Sequence, residues 1–142
     1  ITILINAYCR AFGIEYFALG STDIRNPPHS AKQPDAQYCF NTEKDIPDLA
    51  VEVIYSSGGI TDLDKYQNLN VKEVWLWQNN ELKIYWLVGS SWNQVDHSKS
   101  LEKLTKSLLN KHICQGLTQG HLSIETKFVR ELKTGISDLL EE

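Results

Sequence analysis

The sequence contains no methionine, and only three of its 142 residues are cysteine. It opens on Ile1 with no visible signal peptide. A segment before Ile1 is therefore expected to be missing. Cys9, Cys39 and Cys114 are widely spaced and odd in number, which fits neither a disulfide framework nor a zinc pattern. They read as reduced, mostly buried thiols of a cytoplasmic protein. No apolar run is long enough to cross a bilayer. The chain also lacks any large charge surplus. A net charge of -4 argues against indiscriminate polyanion binding, while leaving room for a local basic groove. Gly58-Gly59 has no following Lys-Ser or Lys-Thr, which excludes a P-loop, and Ser56 and Ser57 lack the setting of a nucleophile elbow. His29, His97, His112 and His121 show no paired ligand spacing and read as surface or loop residues.

What is present is ordered hydrophobic periodicity. The length suits one domain over 1–142, divided into a core (1–97) and a helical tail (98–142). Ile3, Leu4, Ala7, Tyr8, Ala11 and Phe12 predict a first helix, capped by Thr2 and ended by Gly13. Residues 14–19 read as a strand. Residues 20–33 read as a loop, because Asn26, Pro27 and Pro28 block regular structure. Ala36, Tyr38 and Phe40 alternate as a half-buried strand. Leu49, Val51, Val53 and Tyr55 belong to a strand apolar on nearly both faces, as a central strand is. A short helix over 61–69 with Thr61 as its cap follows. A hairpin comes next, 71–77 turning at Asn79-Asn80 into 82–88, and then a strand over 92–95. From Lys99 onward the spacing of Leu101, Leu104, Leu108, Leu109, Ile124, Phe128, Leu132 and Ile136 is helical.

The chemistry-bearing residues sit around two Pro-Asp steps, Pro34-Asp35 and Pro47-Asp48, and Glu52. Asp48 and Glu52 share one strand face but are roughly 13 Å apart at strand rise, too far to share an ion. Asp35 is the better partner. If Phe40 lies opposite Pro47, then Tyr38 faces Leu49, Ala36 faces Val51 and Asp35 faces Glu52. That register makes one hairpin face uniformly apolar. The other face sets two carboxylates about 5 Å apart at Cβ, where they repel unless neutralised. A divalent cation would neutralise them, and so would a Lys or Arg pairing with Glu52. Lys65 on the short helix could serve as a cation beside a phosphate or an attacking water, but by residue type alone it reads first as a solvated helix lysine paired with Asp62 or Thr61.

The stretch PDLAVEVIYSSGGITDLDKYQNLNVKEVWLW (47–77), with GSTDIRNP and KQPDAQYCF before it and KIYWLVGSSW after it, resembles the Uma-two family of bacterial proteins. That family belongs to the restriction-endonuclease-like PD-(D/E)XK nucleases, and the resemblance runs over about residues 3–95. It implies a mixed α/β fold: a restriction-endonuclease-like core sheet with flanking helices and, here, a helical C-terminal tail. It also implies an Mg²⁺- or Mn²⁺-dependent endonuclease hydrolysing DNA to 5′-phosphate and 3′-hydroxyl ends. Asp35 matches the Asp of the Pro-Asp motif and Glu52 the acid of the next strand. The superfamily lysine usually stands two residues after that acid. Here that place is Ile54, and Lys65 of DKY matches the migrated lysine. The implied metal ligands are Asp35 and Glu52, with the Val53 carbonyl as candidate third ligand; Lys65 orients the attacking water. Gln33 and Ala36 depart from a pattern in which acidic residues are usual. They favour the rival expectation, a catalytically weak nuclease-fold module for DNA binding or dimeric assembly.

Two further features bear on partners. Trp75, Trp77, Tyr85 and Trp86 make an aromatic hairpin, read chiefly as core or subunit interface. Together with the apolar tail helices it leads to the expectation of a homodimer. Lys99, Lys103 and Lys106 fall on one face of the first expected tail helix and read as a solvated face.

Overall fold

The apolar alternation at 36–40 and 49–53 builds the centre of the molecule, and everything else is arranged around it. The computed structural model describes residues 1–20, 24–25, 31–55 and 59–141, with the side chains of 25, 31, 59–62 and 135–141 left aside. Six strands form one sheet: β1 (Tyr16–Ala18), β4 (Ala36–Phe40), β5 (Leu49–Val53), β6 (Glu73–Gln78), β7 (Glu81–Val88) and β8 (Ser91–Val95), in that spatial order. β2 (Ile24–Arg25) and β3 (Ala31–Lys32) pair separately as a short antiparallel ladder. Among the described residues only β5 and β6 pair in parallel, joined by a crossover through helix α2 (Gly59–Asn68), as parallel neighbours require. The mixed α/β architecture, a sheet with flanking helices and a C-terminal helical region, is that of a restriction-endonuclease-like fold.

The two faces of the sheet carry two apolar clusters. On one face, Tyr38, Leu49, Val51, Trp75, Leu82 and Ile84 pack with α1 (Thr2–Phe12), α3 (Lys106–Gly116) and α4 (His121–Glu141). On the other, Ala50, Val74 and Leu76 meet Leu63 and Tyr66 of α2 and Leu69 just after it. The tail therefore docks on the sheet, with Leu101, Leu104, Leu109, Ile124, Phe128 and Leu132 all buried in the first cluster. Asn110 secures the docking. Its side chain accepts from the Leu82 N–H at 2.7 Å and donates to the Leu82 carbonyl at 3.1 Å. Leu82 lies beyond the end of β8 pairing, so this amide replaces a strand partner. A buried carboxylate reinforces the join: Glu73 accepts from Trp75 Nε1 at 2.7 Å, Ser98 Oγ at 2.7 Å and the Ser100 N–H at 2.9 Å.

Several local expectations need correction. Thr2 is the first residue of α1, and the N-cap is Ile1 with no side-chain cap, so the helix begins one residue before the hydroxyl could serve. Thr61 lies inside α2, which starts at Gly59. The 20–33 loop contains the β2–β3 ladder; its prolines, like His29 and Ser56-Ser57, fall outside the described residues. Residues 99–104 form turns, with α3 starting only at Lys106 behind a Thr105 cap that accepts from the Leu108 N–H. Lys99 and Lys103 thus precede the helix. His112 is buried, 1% exposed, where a surface residue was expected. Its Nε2 meets Glu131 Oε2 at 2.9 Å and its ring stands edge-on to Phe128. Helical periodicity put it on the α3 face that packs against α4, which lone-residue typing ignores. Trp75 of the aromatic hairpin is fully buried, and Trp77, Tyr85 and Trp92 pack partly against the two clusters. No helix is long and apolar enough to cross a membrane, among the described residues.

The hairpin turns follow their chemistry. Asn79 and Asn80 both take positive φ (54° and 59°), the conformation a two-residue hairpin needs and Asn tolerates. Gly13 ends α1 at φ 67° in the left-handed region.

Candidate active site

β5 is buried at Leu49, Ala50 and Val51 and only partly buried at Glu52 and Val53. The core ends there because the chain is leaving the sheet for the crossover to α2. Glu52 stands opposite Leu76 in the β5–β6 register, on the face that α2 covers. The observed β4–β5 pairing is Tyr38↔Leu49 and Ala36↔Val51, the register that the apolar pattern dictates. The ladder ends at Ala36↔Val51, with Asp35 one residue before β4 and Glu52 one residue past Val51 in β5.

Contacts fix the local geometry. Asp35 Oδ2 accepts from the Val53 N–H at 2.6 Å. Because Ile54 gives its N–H to the Trp77 carbonyl on the other side, Val53 turns both its backbone groups toward β4. Its carbonyl therefore faces the same edge as Asp35. Glu52 Oε2 accepts from Tyr66 Oη at 3.0 Å. Glu52 Oε1 lies 2.9 Å from Lys32 Nζ, with the two side chains 14% and 16% exposed. Lys32 Nζ also sits 5.9 Å from the centroid of the Tyr66 ring, in reach of its negative face. Asp48, by contrast, accepts from the Phe40 N–H at 2.8 Å and Lys44 Nζ at 2.7 Å. It closes the β4–β5 turn, a structural duty apart from Glu52.

Of the expected site residues, the fold brings Asp35, Glu52 and the Val53 backbone to one strand end. Lys65 lies on α2, one residue before Tyr66, with an exposed side chain. The α2 residue that reaches Glu52 is Tyr66. Lys32 and Tyr66 were the residues that sequence reading missed. Tyr66 had a signal, since Leu63, Tyr66 and Leu69 share one helical face. Lys32 had none, because its strand is two residues long and its partner is twenty residues away.

The donor set is hard oxygen: two carboxylates and a main-chain carbonyl. That chemistry suits Mg²⁺, which usually takes one or two carboxylates and keeps several waters. Among the described residues no group of three or more His, Cys, Asp or Glu side chains could hold a metal.

The sequence profile of the Uma2 family, described as "Putative restriction endonuclease", matches residues 1–115. The chain belongs to the Uma2 family. No curated protein matches it. The Uma2 match takes in all six strands of the sheet, α1, α2 and nearly all of α3, and thus every residue of the Asp35–Glu52 edge. Only α4 lies wholly beyond it. Uma2 membership supports a nuclease.

Proposed function

We propose that this Uma2 protein is a metal-dependent DNA endonuclease whose site is Asp35, Glu52 and Lys65. The observation that carries the reading is the convergence of Asp35, Glu52 and the Val53 backbone at one strand end within a nuclease-family fold. Asp35 and Glu52 would hold Mg²⁺ or Mn²⁺, with Val53 contributing its carbonyl oxygen. Such an ion, when bound, polarises a scissile phosphate and lowers the pKa of a water. The protein's own part is to position. The Val53 N–H fixes the Asp35 carboxylate, and Tyr66 fixes Glu52, so neither must be ordered at the moment of reaction. Lys65, on an exposed helix flank, is free to swing its ammonium to a phosphate oxygen and steady developing charge. Tyr55, 96% exposed just past Val53, offers a ring on which an unstacked base can lie. Cutting both strands of a duplex would take two copies, in line with the homodimer expected from the sequence.

The test is cleavage of plasmid and linear DNA with Mg²⁺ or Mn²⁺, comparing wild type with Glu52→Ala. Loss of cleavage only in the variant supports the enzyme; an inactive wild type removes it. One observation favours a second reading, a nuclease-fold module without efficient cleavage: Glu52 is already ion-paired with Lys32. DNA binding without cleavage at millimolar Mn²⁺ would select that reading.

A further inference from the structure

We propose that Lys32 is a displaceable counter-ion built into the site, holding Glu52 in position and competing with a divalent cation for its carboxylate. The inference rests on the reading of Asp35 and Glu52 as a cation site. It accounts for a pairing which that reading leaves unexplained. Lys32 Nζ stands 2.9 Å from Glu52 Oε1. Mg²⁺ on that same oxygen would sit about 2.1 Å from it. The two cations would then lie only a few ångströms apart in a place largely shielded from water, where like charges repel strongly. Sharing the oxygen is electrostatically costly, so cation binding favours displacement of the ammonium.

The framework permits this. Glu52 is anchored in the six-stranded sheet and by Tyr66, whereas Lys32 is mounted on a ladder of two residue pairs. Its four-carbon stem lets the ammonium move without dragging the backbone. The Tyr66 ring beside it holds the charge loosely by its π-face. Without a cation, Lys32 offsets the repulsion between Asp35 and Glu52 and keeps the site assembled. Its displacement sets a threshold for cation binding. Lys32 is thus a positioning residue of the site, distinct from Lys65.

The experiment is calorimetric titration of the full chain with Mn²⁺, in wild type, Lys32→Gln, Lys32→Arg and the Lys32→Gln/Glu52→Gln double variant. Lys32→Gln should bind Mn²⁺ about tenfold more tightly than wild type, equivalent to about 1.4 kcal/mol. Lys32→Arg should stay near wild type, and the double variant should lose the gain. Equal or weaker binding by folded Lys32→Gln overturns the proposal. Should wild type bind and cleave while Lys32→Gln leaves affinity unchanged, the counter-ion inference falls and the endonuclease reading stands. Binding by Lys32→Gln alone upholds the inference and removes the enzyme reading for the natural chain. Binding by neither removes both. A second measurement needs no variant. Acetylation of wild-type lysines, read by mass spectrometry, should label Lys32 faster in saturating Mg²⁺, with Lys99, exposed and outside the site, as the reference. Unchanged Lys32 labelling overturns the displacement.

Discussion

Glu73→Ala should cost more stability than any other single carboxylate deletion in this protein. Glu73 is 0% exposed, and three donors converge on it: Trp75 Nε1, Ser98 Oγ and the Ser100 N–H. Removing an acceptor leaves buried donors unpaired at about 1–3 kcal/mol each. The donors differ. Trp75 is 0% exposed and cannot turn its indole N–H elsewhere, so it bears the full cost, about 2 kcal/mol. The Ser98 hydroxyl can rotate and loses about 1 kcal/mol, while Ser100, half-buried, recovers its bond from water. The space left by the carboxyethyl group adds about 1 kcal/mol. The total is about 4 kcal/mol, or about 12 °C in Tm at roughly 3 °C per kcal/mol for a chain of this length. Glu73→Gln should lose about half as much, because its amide nitrogen must face one of the donors. Urea unfolding followed by Trp fluorescence reads both values. A loss below about 1 kcal/mol for Glu73→Ala would refute the claim that this network joins the tail to the sheet.

Three more outcomes are expected. Millimolar Mn²⁺ should raise the Tm of wild type by several degrees but not that of Asp35→Asn, since ligands of the folded state alone stabilise it; with Lys32 already beside Glu52, the same substitution should change metal-free stability little, as calorimetric scans will read. A thiol reagent at pH 8 should modify Cys114 quickly and Cys9 and Cys39 only on unfolding, because Cys114 is exposed and burial pushes the Cys9 thiol up to about 11. Lys111 first, and His112 with it, holds the Glu131 carboxyl below its ordinary value. Its folded value being depressed, its contribution is present above the unfolded carboxylate range and is lost as pH falls through the folded one. Glu131 is 41% exposed, so solvent screening keeps the effect below about 1 kcal/mol; Glu131→Gln should flatten the acid limb of stability below about pH 4.5 by that small amount, measured by urea titration across pH.

The register of the central hairpin was legible in the sequence. Only one alignment of 36–40 against 49–53 buries Tyr38, Ala36, Leu49 and Val51 together, and a one-residue slip would turn them all to the other face. The motifs around that hairpin carried the family. The hairpin turn at Asn79-Asn80 was equally local, because positive φ is a property of the residues themselves. Helix starts were less legible. Thr2 and Thr61 are good capping residues, yet packing of α1 and α2 drew the helices past them. What only the tertiary structure decided is which charges meet. A salt bridge such as Lys32–Glu52 joins residues from two separate ladders, and the Glu73 network joins β6 to a turn twenty-five residues on. Hydrophobic periodicity records which way a side chain faces along its own element. It carries no record of the distance between elements, and electrostatic pairing depends on that distance.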